Sequence, residues 1–277
     1  MKKWNMIVDV ARCHNCYNCF VATKDEYVDN EYPGYTAPQP LHGHAWVDLE
    51  HREGGRWPMV ETSVRPVMCN HCDDAPCAGA ANNGAVRKRD DGIVIIDPEK
   101  AKGQKQIVDA CPYGAIYWNA ELHLPQAWPF DAHLLDQGWE RTKLETVCPT
   151  DVFRSLKVTD EEMRRIAKAE NLVTREPKSG ARPRVYYRNN HPFETCFIGG
   201  TVITRENGCE ECVAGANVTL HNGDELIGSA TSDAFGEFRI DKVDPGTVTV
   251  QIEVSGKQTK TVSVEMPEST YIGCVEV

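Results

Sequence analysis

The stretch Cys13-His14-Asn15-Cys16-Tyr17-Asn18-Cys19 places three thiols within seven residues of chain. A second group, Cys69-Asn70-His71-Cys72-Asp73-Asp74-Ala75-Pro76-Cys77, has the spacing Cys-x2-Cys-x4-Cys. Two further cysteines stand apart, and each is followed by proline: Cys111-Pro112 and Cys148-Pro149. Closed zinc sites usually draw on paired ligands such as two Cys-x2-Cys motifs. Two triples and two separate Cys-Pro dipeptides therefore favour another kind of metal centre.

A tight triple with a distant cysteine before proline is typical of bacterial ferredoxins, where one loop binds most of a [4Fe–4S] cluster and another segment supplies the last thiolate. The full motif is Cys-x2-Cys-x2-Cys-x3-Cys. Its fourth position is Thr23 after the first triple, and the corresponding residue after the second is Ala81. A hydroxyl is a poor ligand for iron beside thiolates, so Thr23 is not expected to bind. Iron–sulfur clusters rank above zinc, and disulfides rank last.

Composition limits the class of partner. The chain has 277 residues, 41% hydrophobic and 26% charged, which is the length of about two folded domains. Its net charge of −11 argues against a nucleic-acid partner. No apolar run approaches the roughly 20 residues that a membrane span needs. Since no secretory signal is recognisable at the N-terminus, a cytoplasmic protein is expected.

Residues 1–160 resemble the four-motif iron–sulfur subunit of molybdopterin oxidoreductases, in which two ferredoxin units are fused. In that family the first motif exchanges ligands with the fourth, and the second with the third. Here residues 102–107 supply no cysteine ahead of Cys111, and residues 128–144 supply none ahead of Cys148. The losses are complementary, so the resemblance implies two complete [4Fe–4S] sites. The first ligand set is Cys13, Cys16, Cys19 and Cys148, and the second ligand set is Cys69, Cys72, Cys77 and Cys111.

Several stretches are more specifically similar to the small subunits of pyrogallol–phloroglucinol transhydroxylase and anaerobic resorcinol hydroxylase. They include Glu31-Tyr32-Pro33-Gly34-Tyr35-Thr36, Cys111-Pro112-Tyr113-Gly114 and Ala132-His133-Leu134-Leu135-Asp136. This resemblance implies an electron-transfer subunit without an active site of its own. It implies a heterodimer with a large catalytic subunit that holds Mo-bis(pterin guanine dinucleotide) and acts on polyhydroxylated benzenes, and an external electron acceptor. The chain has fewer clusters than expected of the transhydroxylase, so hydroxylase and transhydroxylase both stay open.

The expected fold class is α+β, with a composition shift near residue 195. Residues 1–172 are predicted to form the tandem ferredoxin-like domain, with an insertion at residues 24–64. Residues 173–194 are rich in Pro, Gly and charge, which is typical of an extended linker. Residues 195–277 alternate apolar and polar residues, which predicts an antiparallel β-sandwich of about seven strands. That part resembles carboxypeptidase-regulatory or transthyretin-like sandwiches.

Local signals predict elements around the cysteines. A strand is expected at Met6-Ile7-Val8-Asp9-Val10. Asp97-Pro98 is an N-cap followed by proline, which predicts a helix running to residue 110. Thr159-Asp160-Glu161-Glu162 is a capping box that opens a helix to about residue 171. The aromatic residues of the insertion make it a candidate surface for a partner.

Other chemistry is weaker in the sequence. Cys196, Cys209, Cys212 and Cys274 form a small zinc site or are free thiols, and the single Cys-x2-Cys motif among them favours free thiols. His14 and His71 either tune a cluster by hydrogen bonding or fill the loops. Asp131 and His133 suggest acid–base chemistry only superficially.

Alternative functions are the electron-transfer subunit of another DMSO-reductase-family enzyme, a zinc-binding scaffold protein and a free ferredoxin-like carrier.

Overall fold

The computed structural model describes residues 1–206 and 208–277, and the chain divides into two compact units. The first unit comprises residues 1–50 and 64–190, and the second comprises residues 51–63 and 191–277. Both expected ligand sets lie in the first unit, and the other four cysteines lie in the second. No helix in the described part of the chain is both long and apolar enough to cross a membrane.

The first 190 residues form many short elements rather than a few long ones. The strands are β1 (Lys2–Asp9), β2 (Val47–Arg56), β3 (Met59–Met68), β4 (Val86–Lys88), β5 (Val94–Ile96), β6 (Tyr117–Asn119), β7 (Leu124–Gln126), β8 (Phe153–Thr159) and β9 (Val185–Arg188). The helices are α1 (Asn18–Tyr27), α2 (Pro76–Ala80), α3 (Gln106–Asp109), α4 (Ala132–Asp136), α5 (Lys143–Val147) and α6 (Asp160–Ala169), with single 3₁₀ turns at Val10–Arg12 and Pro177–Ser179.

A three-stranded sheet in the order β8-β1-β9 is the centre of the first unit. Strand β1 contains residues 6–9 of the predicted strand, whereas Val10 begins a 3₁₀ turn. The strand pairs antiparallel with β8 and is buried from residue 4 onward. Strands β2 and β3, β4 and β5, and β6 and β7 form three separate two-stranded pairs. The predicted N-cap is confirmed, because the Thr159 side chain accepts a hydrogen bond from the Glu162 backbone N–H and α6 follows, ending at Ala169.

The segment at residues 173–194 differs from an extended linker. Strand β9 pairs in parallel with β1, placing Val185 opposite Met6, and Val185 and Tyr187 are fully buried. Val173 and Tyr187 also exchange backbone hydrogen bonds of 2.9 and 2.8 Å. Residues 173–190 are therefore part of the first unit. A four-residue edge strand is too short to give a clear periodic signal beside the Pro- and Gly-rich residues that precede it.

The predicted helix over residues 97–110 is wrong in extent. The Asp97 side chain does accept hydrogen bonds of 3.1 Å from the backbone N–H groups of Glu99 and Lys100. Turns nevertheless replace a regular helix as far as Gly103, whose φ of +77° is left-handed, and only the short α3 follows. A left-handed residue interrupts the helical hydrogen-bond ladder, so the local cap cannot be extended.

The second unit is a β-sandwich, as predicted. Its strands are β10 (Cys196–Glu206), β11 (Cys209–Cys212), β12 (Asn217–Asn222), β13 (Glu225–Thr231), β14 (Glu237–Val243), β15 (Gly246–Glu253), β16 (Lys260–Met266) and β17 (Thr270–Glu276). One sheet has the order β13-β12-β15-β16. The other has the order β11-β10-β14, with β17 parallel to β10. Inward side chains of both sheets form one apolar core.

Two features of the sandwich differ from the prediction. The described residues form eight strands rather than about seven, because Cys209–Cys212 forms a short, fully exposed strand with no apolar alternation to reveal it. Residues 51–63, at the tip of the β2–β3 hairpin, group with the second unit. There the Gly55 backbone N–H donates to the Ser269 carbonyl at 2.8 Å, and the Arg56 side chain donates to the Tyr271 carbonyl at 2.8 Å.

The aromatic residues of the insertion have two different environments. Tyr27 and Trp46 are buried and pack with ring centroids 5.1 Å apart, so they stabilise the first unit. Trp57 at the hairpin tip is 86% exposed. Only part of the insertion is therefore free to meet a partner.

Candidate iron–sulfur cluster sites

The first ligand set surrounds one cavity in the first unit. Its lining includes Cys13, Cys16, Cys19 and Cys148. Cys13 follows a 3₁₀ turn, and Cys19 lies in the first turn of α1. Between them Asn15 and Tyr17 have left-handed φ values of 57° and 60°. These reversals let three closely spaced thiols converge, since a regular helix or strand would point them in different directions.

Cys148 reaches this cavity from the end of α5. It forms the C-cap of that helix, and the next residue is Pro149, which has no N–H to continue the helix. The Val152 backbone N–H donates to the Cys148 Sγ at 3.4 Å. Among the four thiols Cys19 is buried, Cys13 and Cys148 are partly buried and Cys16 is exposed. The first ligand set is thus open to the surface on the side of Cys16.

The second ligand set is more enclosed. Cys69 and Cys72 follow strand β3, Cys77 lies in the first turn of α2, and Cys111 follows α3. Cys72 and Cys77 are buried, while Cys69 and Cys111 are partly buried. Cys69 and Cys111 pack against a buried cluster that contains Cys72 and Tyr113. Cys111 also packs against the neighbouring cluster that contains Cys77. The four thiols are therefore brought together around Cys111.

Burial and mutual proximity raise the pKa values of thiols in both sets. Burial, with smaller contributions from charge repulsion by Cys13, Cys148 and Cys16, raises the pKa of Cys19 to about 12. Burial, together with repulsion from Cys77 and Cys111, likewise raises the pKa of Cys72 to about 12. Four crowded thiolates are unfavourable without a cation between them. Iron removes this cost by displacing the protons, so the donor sets fit a cluster that binds through thiolate sulfur.

A single metal ion fits these positions less well. Zinc ligands all lie about 2.3 Å or less from one ion. Within residues 1–206 and 208–277, no three His, Cys, Asp or Glu side chains are close enough to share one ion. A four-iron cluster holds its thiolates at separate corners, which suits the four thiols of the first ligand set that line one cavity.

The sandwich cysteines are not arranged as a metal site. Cys209 and Cys212 lie three positions apart in strand β11, so their side chains point to opposite faces of the sheet. Cys196 is buried and lies opposite Val243, whereas the exposed Cys274 lies opposite Thr201 in the neighbouring strand pair. Cys196 and Cys274 are on adjacent strands but are not paired in register. None of these four cysteines forms a disulfide bond.

Asp131 is the centre of a buried polar network between the end of α1 and the start of α5. It is 1% exposed, and both it and Phe130 have left-handed backbone conformations. Its carboxylate accepts hydrogen bonds from the Tyr27 hydroxyl at 2.7 Å, the Trp128 indole at 2.9 Å and the Lys143 backbone N–H at 2.8 Å. Burial raises the pKa of Asp131 in spite of these donors. In the sequence, Asp131 suggests acid–base chemistry only superficially. In the structure it is the common acceptor of a buried hydrogen-bond network.

Glu26 extends this network on the partly buried side. Its carboxylate accepts hydrogen bonds from the Tyr32 hydroxyl at 2.6 Å, from His133 Nε2 at 2.8 Å and from the Lys143 ammonium at 2.6 Å. Burial alone would raise the pKa of Glu26, but these donors outweigh it and hold the pKa at about 2. Together Asp131 and Glu26 tie the end of α1 to the start of α5. The opposite ends of those helices carry Cys19 and Cys148.

Replacing Asp131 by alanine should destabilise the chain by roughly 3–5 kcal/mol, because two buried donors and one partly buried donor lose their acceptor. The measurement is the free energy of unfolding from anaerobic urea titrations followed by tryptophan fluorescence. Glu140→Ala is the control, since Glu140 is exposed and its removal should change stability by no more than about 0.5 kcal/mol. Equal effects of the two variants would show that the network contributes nothing.

Sequence reasoning missed Lys88, Glu26 and Lys143. Lys88 donates hydrogen bonds to the carbonyl oxygens of His71 and Cys72, directly beside the second ligand set. All three act through partners distant in sequence, and no local spacing signals such a pairing. A weak indication existed for Lys88, because it follows an apolar residue by two positions in a short strand and so shares its face.

Comparison with known proteins agrees with the division of the chain into an iron–sulfur part and a β-sandwich. Residues 60–158 match the model of the 4Fe-4S dicluster domain, and residues 198–272 match that of the carboxypeptidase regulatory-like domain. The first match covers the second ligand set and Cys148. The chain is an iron–sulfur protein with an appended β-sandwich.

The relatives narrow this class. The chain is 40% identical, over 100% of both chains, to the pyrogallol hydroxytransferase small subunit of Pelobacter acidigallici. It is 31% identical to the arsenate respiratory reductase iron–sulfur subunit of Shewanella sp. (strain ANA-3), over 48% of this chain and 52% of that protein. It is 28% identical to the thiosulfate reductase electron transfer subunit of Salmonella typhi, over 64% of this chain and 88% of that protein. This chain belongs to the pyrogallol hydroxytransferase small-subunit family.

Proposed function

We propose that this chain is the electron-transfer subunit of a molybdopterin enzyme that hydroxylates or transhydroxylates polyhydroxylated benzenes in the cytoplasm. The observation that carries the proposal is the gathering of eight cysteines into two groups of four within a chain similar over its full length to a pyrogallol hydroxytransferase small subunit. A large subunit with Mo-bis(pterin guanine dinucleotide) would perform the chemistry on the ring.

The residues of this chain would hold the clusters and control access to them. A [4Fe–4S] cluster at each ligand set supplies single-electron transfer. The loop around Asn15 and Tyr17 brings three thiols to one cavity, and the α5 C-cap adds Cys148 to it. The exposed Cys16 marks the side on which electrons would enter or leave, while the second set is shielded from water.

Catalysis on a phenol is assigned to the partner. Hydroxylation needs a metal with an open coordination position or an equivalent cofactor. A cluster with thiolate at all four corners offers no such position. The external electron acceptor would be a further partner of the complex.

The direct test of the proposal is metal analysis of the chain purified without oxygen. Two four-iron clusters correspond to about eight irons and about eight acid-labile sulfides per chain. The absorption spectrum should show the broad brown band of iron–sulfur proteins. Stoichiometric zinc without iron would support the scaffold alternative instead, and about sixteen irons would mean that two further clusters are bound by other residues.

A further inference from the structure

Lys88 places a positive charge directly behind the loop that carries Cys69 and Cys72. Its ammonium donates hydrogen bonds to the His71 carbonyl at 2.8 Å and the Cys72 carbonyl at 2.7 Å, and it lies 3.0 Å from the Asp73 carboxylate. Two carbonyls and one carboxylate match the three N–H groups of an ammonium. The side chain is about three-quarters buried, so solvent screens this charge less than at an open surface.

The charges around Lys88 leave one positive charge in excess. Asp73 also binds the Arg184 guanidinium at 2.7 and 2.8 Å, and Arg184 is only 3% exposed. Asp160 accepts hydrogen bonds from Arg184 at 2.7 Å and from Lys3 at 2.9 Å. Three cations therefore face two carboxylates in this network. The Asp73 carboxylate reduces the field of Lys88 at the cluster but does not cancel it.

No cation is among the described groups that most strongly shift the pKa of Cys19, the buried thiol of the first ligand set. Within the described residues, the groups that most affect the pKa of Cys19 are its burial, the Phe20 backbone and the other thiols of the set. Arg12 precedes Cys13, but it is exposed and pairs with Asp151 at 3.8 Å. The two sites thus differ in the charge that surrounds them as well as in exposure.

We propose that Lys88 is a positioning residue that fixes the Cys69–Cys72 loop and makes the cluster of the second ligand set easier to reduce than it would be without this charge. The inference rests on the proposed function. Reduction adds one electron, and so one negative charge, to the cluster, with the electron taken from a reductant such as dithionite in the test. A fixed cation stabilises this reduced form more than the oxidised form. Charge and hydrogen bonding near the sulfurs are established determinants of cluster potential in general.

The test is an anaerobic redox titration of the full chain followed by electron paramagnetic resonance. Each signal is first assigned with Cys16→Ala and Cys72→Ala. Lys88→Gln should lower the equilibrium constant for reduction of the second cluster by about tenfold, which is a fall of about 59 mV in its one-electron reduction potential. The potential of the first cluster should not change. Lys88→Arg should retain the parental potential. Arg87→Gln is the matched control, because Arg87 is the preceding residue of β4 and its exposed side chain bonds to the Gly34 carbonyl instead.

Each outcome decides the inference. It is overturned if the second potential is unchanged in Lys88→Gln at full iron content, if both clusters shift equally, or if Arg87→Gln shifts the second cluster as much. Should Lys88→Gln fail to assemble the second cluster, Asp73→Asn decides, since removing that carboxylate should favour reduction; no shift, or a shift the other way, overturns the inference. A chain without iron would refute the proposed function itself, whereas two intact clusters insensitive to Lys88 would refute only this inference.

Discussion

Cys148→Ala should remove one of two clusters and leave the other intact. The iron content should fall from about eight to about four per chain. The lost spectrum should be the one that Cys16→Ala also removes, although the two residues are 132 positions apart in sequence. The physical reason is that Cys148 lines the same cavity as Cys13, Cys16 and Cys19. Without its thiolate, one corner of the cluster is open to solvent.

Cys111→Ala is the reciprocal experiment. Cys111 packs with Cys69 and Cys72, so its loss should match that of Cys72→Ala and spare the first cluster. Cys274→Ala is the control, because Cys274 is an exposed free thiol of the sandwich and its removal should leave all the iron in place. If Cys148→Ala disturbed the spectrum that Cys72→Ala removes, the assignment of the two ligand sets would be wrong.

The purified chain should show no turnover of pyrogallol, resorcinol or another phenol, even with both clusters full. Activity should appear only when a molybdopterin-bearing large subunit is added, a change from none to measurable. The reason is that thiolates complete the coordination of each cluster, which leaves electron transfer as its chemistry. The measurement is chromatographic detection of the hydroxylated product under strictly anaerobic conditions.

The control for this experiment is the complex assembled from the same large subunit and the Cys148→Ala chain. It separates a need for the first cluster from a need for the protein surface alone. Turnover by the isolated chain, with molybdenum shown to be absent, would contradict the proposal that this subunit has no active site. Full activity of the Cys148→Ala complex would show that the first cluster does not lie on the electron path.

The sequence revealed features whose chemistry is local. The Thr159 cap is set by a residue three positions away, and the sandwich strands are set by alternation of side chains along one strand. The spacing of Cys13, Cys16 and Cys19 likewise indicates a cluster loop without knowledge of the rest of the chain. In each case the signal and the interaction that it reports lie within a few residues, so one short window contains both.

By itself, then, the sequence determined the class of metal centre, the α+β class and the division near residue 195. It could propose a partner for Cys148 only through a family resemblance, since residues alone do not encode which distant cysteine completes a site. The tertiary structure decided that residues 173–190 join the first unit, that the helix after Asp97 stops early, and that Asp131 and Lys88 face buried partners. These outcomes depend on burial and hydrogen bonding summed over contacts between distant segments. Such free energies exceed local preferences of a few tenths of a kcal/mol per residue, so local patterns cannot predict them.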